Sequence, residues 1–227
     1  MLFKKNKYER ISYSQCGEDL IVKYIFDILQ ISNPSYLDVG AHDPFFLSNT
    51  ALFYKSGCRG INIEPDATLF PNFLKYRKKD INLNIGVGTE NSVVDFYVMS
   101  ARTLNTFSKE EAKRYESEEN FSISEIVKTN VYTIDKVINN YNNGVFPDFL
   151  NVDAEGVDEI IVKSINFDNN YPLVICIETL SFSTSGKETK NTALINYLTD
   201  NGYMVYADTY INTIFIHKGS WQSKNLK

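Results

Sequence analysis

The stretch YLDVGAHDPFFLSNTALFYKSGCRGINIEP (residues 36–65) decides the fold. It opens on a short apolar run, SYLDVGA (35–41), that reads as a buried strand closing on Asp38-Val39-Gly40. A helical run then reaches about Lys55 and stops at Gly57, before a second strand, RGINIEP (59–65), ends on Glu64 and Pro65. Strand, helix and strand in this order imply a right-handed crossover and a parallel pair.

The alternation continues outward on both sides. Upstream, EDLIVKYIFDILQ (18–30) has apolar residues over more than half its circumference and reads as a buried helix, with Glu18 and Asp19 favoured by the helix dipole in its first turn. Asn33-Pro34 ends that helix. Downstream, a helix over 67–79 ends in the basic run Lys75–Lys79, read as solvating a helix C-terminus. INLNIGVG (81–88) is a third strand, and SVVDFYVM (92–99) an added edge strand or hairpin partner. Residues 100–130 are polar and Lys/Glu-rich with little apolar content, and read as a mobile insertion. TIDKVINNY (133–141) is a Thr-capped helix. DFLNVDAEG (148–156), a helix at 158–165 and PLVICIET (172–179) form another strand-helix-strand unit. A helix at 188–201 and a terminal hairpin, GYMVYADTY with INTIFIHK, complete the chain. The expectation is an α/β doubly wound, mostly parallel sheet with one antiparallel strand at the end. Residues 1–227 form one domain, 1–33 being an N-terminal helical cover and 100–130 a substrate lid.

Composition narrows the classes. With 227 residues, 43% hydrophobic and 22% charged, the chain is neither disordered nor fibrous and is long enough for a full core. Its charge of 23 − 28 = −5 argues against a nucleic-acid partner, which requires a basic footprint. No run approaches the roughly 18 apolar residues of a membrane span, and the basic N-terminus lacks the apolar core of a secretory signal. Cys16, Cys58 and Cys176 are odd in number and widely spaced, which suits reduced thiols and a cytoplasmic location.

In a doubly wound sheet, ligands bind beyond the carboxyl ends of the strands. Asp38-Val39-Gly40-Ala41-His42-Asp43-Pro44 follows the first strand, and Glu64 stands 64 − 38 = 26 positions past Asp38, placed to accept hydrogen bonds from a ribose. A dinucleotide would need three spaced glycines for its pyrophosphate, whereas only Gly40 is present and Asp43 would repel a phosphate. S-adenosylmethionine carries a ribose and a cationic sulfonium but no phosphate, and suits this turn better. Further on, Asp153 and Glu155 lie two apart on an extended strand end and so face the same way. Glu178 brings a third acid to the same rim. Helix capping by Asp153 or Glu155 is the plain structural alternative.

These residues belong to a longer pattern. SQCGEDLIVKYIF (14–26), the 36–65 stretch, TLNTF (103–107), FLNVDAEGVDEIIV (149–162) and VICIE (174–178) resemble the FkbM-type S-adenosylmethionine-dependent methyltransferases, in that family's order over nearly the whole chain. The resemblance implies a class I methyltransferase (Rossmann-like) fold with a seven-stranded sheet and an antiparallel last strand. It implies O-methylation, commonly of sugar or natural-product hydroxyls. By position, Asp38, Gly40 and Ala41 would line the methionine and ribose portion, with His42 beside them. Glu64 and Pro65 would hold the ribose, Gly86 and Val87 would lie near the adenine, and Asp153 and Glu155 near the transferred methyl. Ser14 and Gln15 would cover the cofactor. His42 departs from the Asn more usual at its position.

For chemistry, a hydroxyl must lose a proton as it is methylated, and Glu155 or Asp153 is the expected base, with His42 as competitor. Asp153 and Glu178 are candidate ligands for Mg²⁺ or Mn²⁺. His217, at the end of the last strand, lies away from the rim. Arg102, Lys109, Lys113 and Arg114 could hold the diphosphate of a nucleotide-linked sugar, against the plainer reading of a solvated charged helix. The acceptor class is a sugar or nucleotide-sugar of glycan or polysaccharide biosynthesis. The alternatives are a non-sugar natural-product hydroxyl, a nicotinamide-dependent oxidoreductase and a noncatalytic assembly protein. The sequence leaves the acceptor position and the oligomeric state open, a homodimer being one candidate.

Overall fold

The computed structural model describes residues 8–118, 120–168 and 170–223. In chain order its elements are α1 (Glu18–Leu29), β1 (Tyr36–Val39), α2 (Ala51–Lys55), β2 (Gly60–Ile63), α3 (Phe70–Tyr76), β3 (Ile81–Leu83), β4 (Gly86–Val87), β5 (Ser92–Met99) and a 3₁₀ turn (Arg102–Leu104). There follow α4 (Lys109–Glu118), β6 (Ile123–Tyr132), α5 (Ile134–Tyr141), β7 (Phe149–Val152), α6 (Asp158–Lys163), β8 (Val174–Glu178), α7 (Thr192–Asp200), β9 (Tyr203–Asp208), β10 (Asn212–His217) and α8 (Lys218–Gln222).

Seven strands form one sheet in the order β3-β2-β1-β7-β8-β10-β9. β3, β2, β1, β7 and β8 are mutually parallel, and β10 runs antiparallel to both β8 and β9. This is the doubly wound α/β architecture expected. The chain leaves β1 in one direction for β2 and β3 and later returns to its other side at β7, so the order reverses at β1. The pairing register sets what stands at that switch point. Val39 is level with Ile63 and with Val152, and Val152 is level with Ile177. The residues one step further, Gly40, Glu64, Asp153 and Glu178, therefore stand in a row along the carboxyl rim.

Both sheet faces are covered, so the central strands are apolar on alternate sides. Leu37, Val39, Ile61, Ile63, Leu150, Val152, Ile175 and Ile177 pack with α5, α6 and α7. Tyr36, Phe149, Val174 and Cys176 pack on the other side with α1, through Val22, Ile25 and Phe26, and with Phe53 of α2. Spacing of i, i+3 and i+4 places those three α1 residues on one stripe. Glu18 and Asp19, in the first turn, are buried as well as favoured by the helix dipole. Glu18 accepts from Thr209 Oγ1 (2.7 Å) and the Cys16 N–H (2.8 Å); Asp19 accepts from Ser12 Oγ and the Tyr13 N–H, both at 2.7 Å. They tie residues 12–16 and the β9–β10 turn to the helix start. Of the N-terminal cover, residues 1–7 lie outside the described residues, 8–17 are non-helical and the helix begins at Glu18.

Four local expectations are corrected. The stretch 81–88 is two strands: β3 edges the main sheet, while β4 joins a second sheet, β4-β6-β5. β5 pairs antiparallel with β6, in the second sheet and not at the edge of the main one. The 100–130 segment is built rather than loose: it supplies α4 and most of β6, and Leu104, Ala112 and Tyr115 are buried against Tyr97 and Met99. Finally, the basic run Lys75–Lys79 does not simply solvate a helix end. Its lysines are exposed, but Arg77 is fully buried. Arg77 donates to Asp80 Oδ2 (2.8 Å), the Pro44 carbonyl (3.0 Å), Tyr36 OH (2.9 Å), Thr50 Oγ1 (3.1 Å) and Asn62 Oδ1 (3.2 Å). With five acceptors it is fully paired, which a buried guanidinium requires.

That network gives a stability prediction. Arg77→Met strands the Asp80 carboxylate in the interior, and should cost about 3–5 kcal/mol in urea-induced unfolding. A loss below about 1 kcal/mol would show that the pair contributes little.

Candidate active site

The rim row opens into a cavity of about 420 Å³. Gly40 makes its floor possible. Its φ is +76°, and a Cβ there would fall 1.8 Å from the carbonyl oxygen of Asp153. Only glycine combines that left-handed backbone with so close an approach of the β7 end. Of the residues singled out from the sequence, Gln15, Asp38, Gly40, Ala41, His42, Glu64, Pro65, Gly86, Val87, Asp153, Glu155 and Glu178 all line this cavity. Ser14 does not. Its hydroxyl bonds Asp19 Oδ1 (3.0 Å) and the Gly17 N–H (3.1 Å), fastening the start of α1.

Asp38 lines the cavity, but both its oxygens are already engaged, accepting from Thr50 Oγ1 (2.6 Å) and Asn151 Nδ2 (2.9 Å). Thr50 in turn accepts from Arg77, so the buried network beneath the first turn ends at this carboxylate. Burial nonetheless pushes its pKa up. Glu64 is held differently: Oε2 accepts from the His42 N–H (2.8 Å) and Oε1 from the Asp66 N–H (2.7 Å). Each oxygen keeps a second lone pair for a ligand hydroxyl. Burial, opposed by those two hydrogen bonds, raises its pKa to about 8. His42 sits at φ +53°, and burial lowers its imidazole pKa against the pull of Asp43 and Asp66.

At the other side, Asp153, Glu155 and Glu178 offer carboxylate oxygens within 4.8 Å of one another. All three pKa values are pushed upward. Glu178 rises to about 11 and Glu155 well above its ordinary value, by burial first and the charge of Asp153 second. Asp153, whose side chain is open to the cavity, rises to about 7 by desolvation against the cavity wall and then by Asp158 and Asp38. Three carboxylates so placed cannot all carry charge unless protons or a cation sit among them. Neither Asp153 nor Glu155 caps the following helix. No side chain caps it; Asp158, its first residue, instead reaches back to accept from the N–H groups of Ala154 (2.8 Å) and Gly156 (3.1 Å) and closes the preceding turn. Glu155 stands in the left-handed region at φ +48°. Its carbonyl accepts from Thr106 Oγ1 (2.6 Å) and its Oε2 from Tyr115 OH (3.0 Å), both from the 100–130 segment. A second cavity of about 390 Å³ adjoins the first at Glu155, Glu178 and Phe182 and is walled also by Tyr115.

Of the basic residues of the insertion, the two arginines are ion-paired, Arg102 while lining the cavity. Arg102 pairs with Asp66 at 2.7 Å, and Asn105 Nδ2 reaches the same oxygen at 2.9 Å. Arg114 donates to Glu111 Oε2 (2.6 Å) and to the Phe182 carbonyl (3.0 Å). Lys109 and Lys113 are exposed on α4. His217 packs between Tyr171 and Tyr203 at the opposite end of the sheet. Asp66, Asn105, Thr106, Phe107 and Tyr115 are functional candidates that sequence reasoning missed, although the TLNTF element that holds three of them was visible.

A model of the methyltransferase FkbM domain matches residues 38–205. No curated protein sequence matches the chain significantly. Among solved structures the chain is similar to a Burkholderia thailandensis protein. It is 1,6-didemethyltoxoflavin-N1-methyltransferase, in a crystal structure with bound 1,6-didemethyltoxoflavin and S-adenosylhomocysteine. Identity is 7% and the TM-score 0.40, over 89% of this chain and 77% of that chain. No described helix is long and apolar enough to cross a membrane.

The acid cluster makes stability pH-dependent in a defined sense. Unfolded, these carboxyls lose their protons near pH 4–4.5, whereas the fold retains protons on Glu64, Glu155 and Glu178 to higher pH. Unfolding then releases protons, so stability falls as pH rises. The two histidines act oppositely, but only below about pH 7, because burial lowers both pKa values. The melting temperature of the ligand-free protein should therefore fall between pH 7 and 9, and Glu178→Gln should flatten that decline. A rise over the same range would contradict the protonated cluster.

Proposed function

The chain belongs to the methyltransferase FkbM domain family, and on that footing we propose that it is an S-adenosylmethionine-dependent O-methyltransferase acting on a hydroxyl of a sugar or nucleotide-linked sugar. The observation that carries this reading is the sequence of groups along the rim. Glu64 offers free lone pairs where a ribose diol would lie, Gly40 leaves room for close approach, and three carboxylates gather where a sulfonium would need negative charge. The family match removes the support for a nicotinamide-dependent oxidoreductase, and the lone Gly40 and nearby Asp43 suit a pyrophosphate poorly. When bound, the cofactor supplies a methyl group on a cationic sulfur that is already a good leaving group.

The chain's own residues have two tasks. They align the acceptor oxygen with the methyl carbon, worth roughly 7–11 kcal/mol in well-oriented systems, and they receive the acceptor's proton as the new C–O bond forms. Glu155 is the base in this reading. Its carboxylate is oriented by Tyr115, and its raised pKa makes it a better match for a hydroxyl than an exposed glutamate. A cationic ligand against the cluster would lower all three pKa values and favour the ionised form needed. The second cavity, across Glu155 and Glu178, offers room for the rest of the acceptor. His42 stands on the ribose side and is the weaker candidate for the base.

A divalent cation is a second reading of the same acids. Three carboxylate oxygens within 4.8 Å suit the hard, oxygen-ligated chemistry of Mg²⁺ or Mn²⁺. Asp153 and Glu178 would hold it, and it would lower the pKa of the acceptor hydroxyl. The three cysteines are free thiols, in keeping with a reducing, cytoplasmic setting.

Calorimetric titration should show binding of S-adenosylhomocysteine and none of NAD; the reverse would overturn the cofactor assignment. On a panel of sugars and nucleotide sugars, Glu155→Gln should lower methyl transfer by about 10²-fold or more, with S-adenosylhomocysteine affinity little changed. Full turnover in that variant would end the role of Glu155 as base. Loss of activity on chelation, restored by Mg²⁺ or Mn²⁺, would favour the metal reading, and indifference to chelator would reject it.

A further inference from the structure

The two cavities meet at the end of β8. Glu155, Glu178, Leu180, Ser181 and Phe182 line both, so the second cavity begins where the acid cluster stands. The loop after β8, residues 179–191, builds this junction and is held in shape. Leu180 bridges Lys190, and the Ser181 N–H donates to the Thr189 carbonyl (3.0 Å). Lys190 Nζ donates to Asp208 Oδ1 (2.8 Å) and to the Tyr210 carbonyl (2.7 Å), which ties the loop to the β9–β10 turn.

The charge of this space has one sign. Beyond Glu155 and Glu178, the second cavity is lined by Glu111, Asp158 and Glu159. Among the described residues no lysine lines either cavity, and Arg102, the one arginine that does, is neutralised by Asp66. Glu111, Asp158 and Glu159 have partners of their own in Arg114, two backbone N–H groups, and Lys163 with Asn191. Two acceptors are left over. No described residue donates a hydrogen bond to Glu178. Glu188, in the same loop and lining the first cavity, takes Tyr210 OH on Oε1 (2.9 Å), while its Oε2 is buried without a partner. A buried carboxylate oxygen without a donor is costly, and a ligand N–H or O–H would relieve it. We propose that the junction and the second cavity form an acceptor subsite for a sugar that bears hydroxyl or amino groups and no phosphate, with Glu178 and Glu188 as its polar contacts and Phe182 and Tyr115 as its wall. A nucleotide-linked sugar is thereby rejected. Its diphosphate is joined directly to the sugar and would meet the five carboxyl groups of the second cavity with no lining lysine or arginine to pair with. This rests on the methyltransferase reading above and selects between its two acceptor classes.

Saturation-transfer NMR titrations of the protein loaded with S-adenosylhomocysteine test it. Glucose, galactose and mannose are each offered as the free sugar, the amino sugar and the glycosyl phosphate, with UDP-glucose as the nucleotide-linked probe. The free and amino sugars of at least one set should bind, and the matching phosphate and UDP-glucose should bind about 10-fold more weakly or worse. Glu188→Lys, a charge reversal in the loop, should narrow that gap by favouring the phosphate. Circular dichroism monitors folding; if the Lys variant does not fold, Glu188→Gln should narrow the gap in the same direction. A phosphate or UDP-glucose that binds wild type as tightly as the free sugar would overturn the proposal. So would failure of every set to bind, or a gap that the folded Glu188 variant leaves unchanged. If the protein does not bind S-adenosylhomocysteine, the cofactor reading falls and this inference with it. If it binds that ligand and prefers the phosphates, this inference alone falls, and methylation of nucleotide-linked sugars stands.

Discussion

The contact between Gly40 and the Asp153 carbonyl is the constraint on which the site depends. β1 and β7 are neighbours at the switch point and end level with one another, Val39 opposite Val152. The turn after β1 must then pass almost through the space above β7. A side chain at position 40 would meet the Asp153 oxygen at 1.8 Å, so the turn closes only on glycine. With it closed, the Gly40 and Ala41 N–H groups both donate to the Ile63 carbonyl, at 3.1 and 3.0 Å, and β2 is drawn into the same edge. The level ends of four parallel strands are thereby turned into one row of ligand-facing groups.

Charge placement follows from that row. Acids at the ends of adjacent strands are about 5 Å apart by strand spacing alone, so Asp153, Glu155 and Glu178 must repel one another wherever the fold is intact. Such a cluster is costly as structure, and Asp158 already closes the turn through two backbone N–H groups. In the proposed function these acids supply negative charge to a cationic ligand. Beneath the first turn the opposite solution appears: Arg77, Asp80, Tyr36, Asn62, Thr50 and Asp38 form a fully paired buried network. One polar layer is closed on itself and stiffens the turn; the other faces the cavity.

The main sheet and its rim were legible in the sequence for a physical reason. Strands buried on both faces read as continuous apolar runs, and the polar residue ending each run is the ligand-facing one. Glu64, Asp153, Glu155 and Glu178 were found in this way. The second sheet was not legible, because β6 (ISEIVKTNVY) is exposed at half of its positions and buried at only two, and so carries no apolar alternation. Arg77 was misread because a basic run looks solvated, and only the acceptors brought in from Pro44, Tyr36, Thr50 and Asn62 show otherwise. Asp66, Thr106 and Tyr115 act through partners 36 to 49 positions away, a separation at which local pattern is silent.

In the proposed function a single nucleoside cofactor spans the rim from the acid cluster past Glu64 to Gly86 and Val87. A crystal structure with S-adenosylhomocysteine tests it most directly. The sulfur should lie against Asp153 and Glu155, the ribose diol on Glu64 and the purine beside Gly86 and Val87. A ligand with its purine at the acid cluster, or bound outside this cavity, would contradict the account.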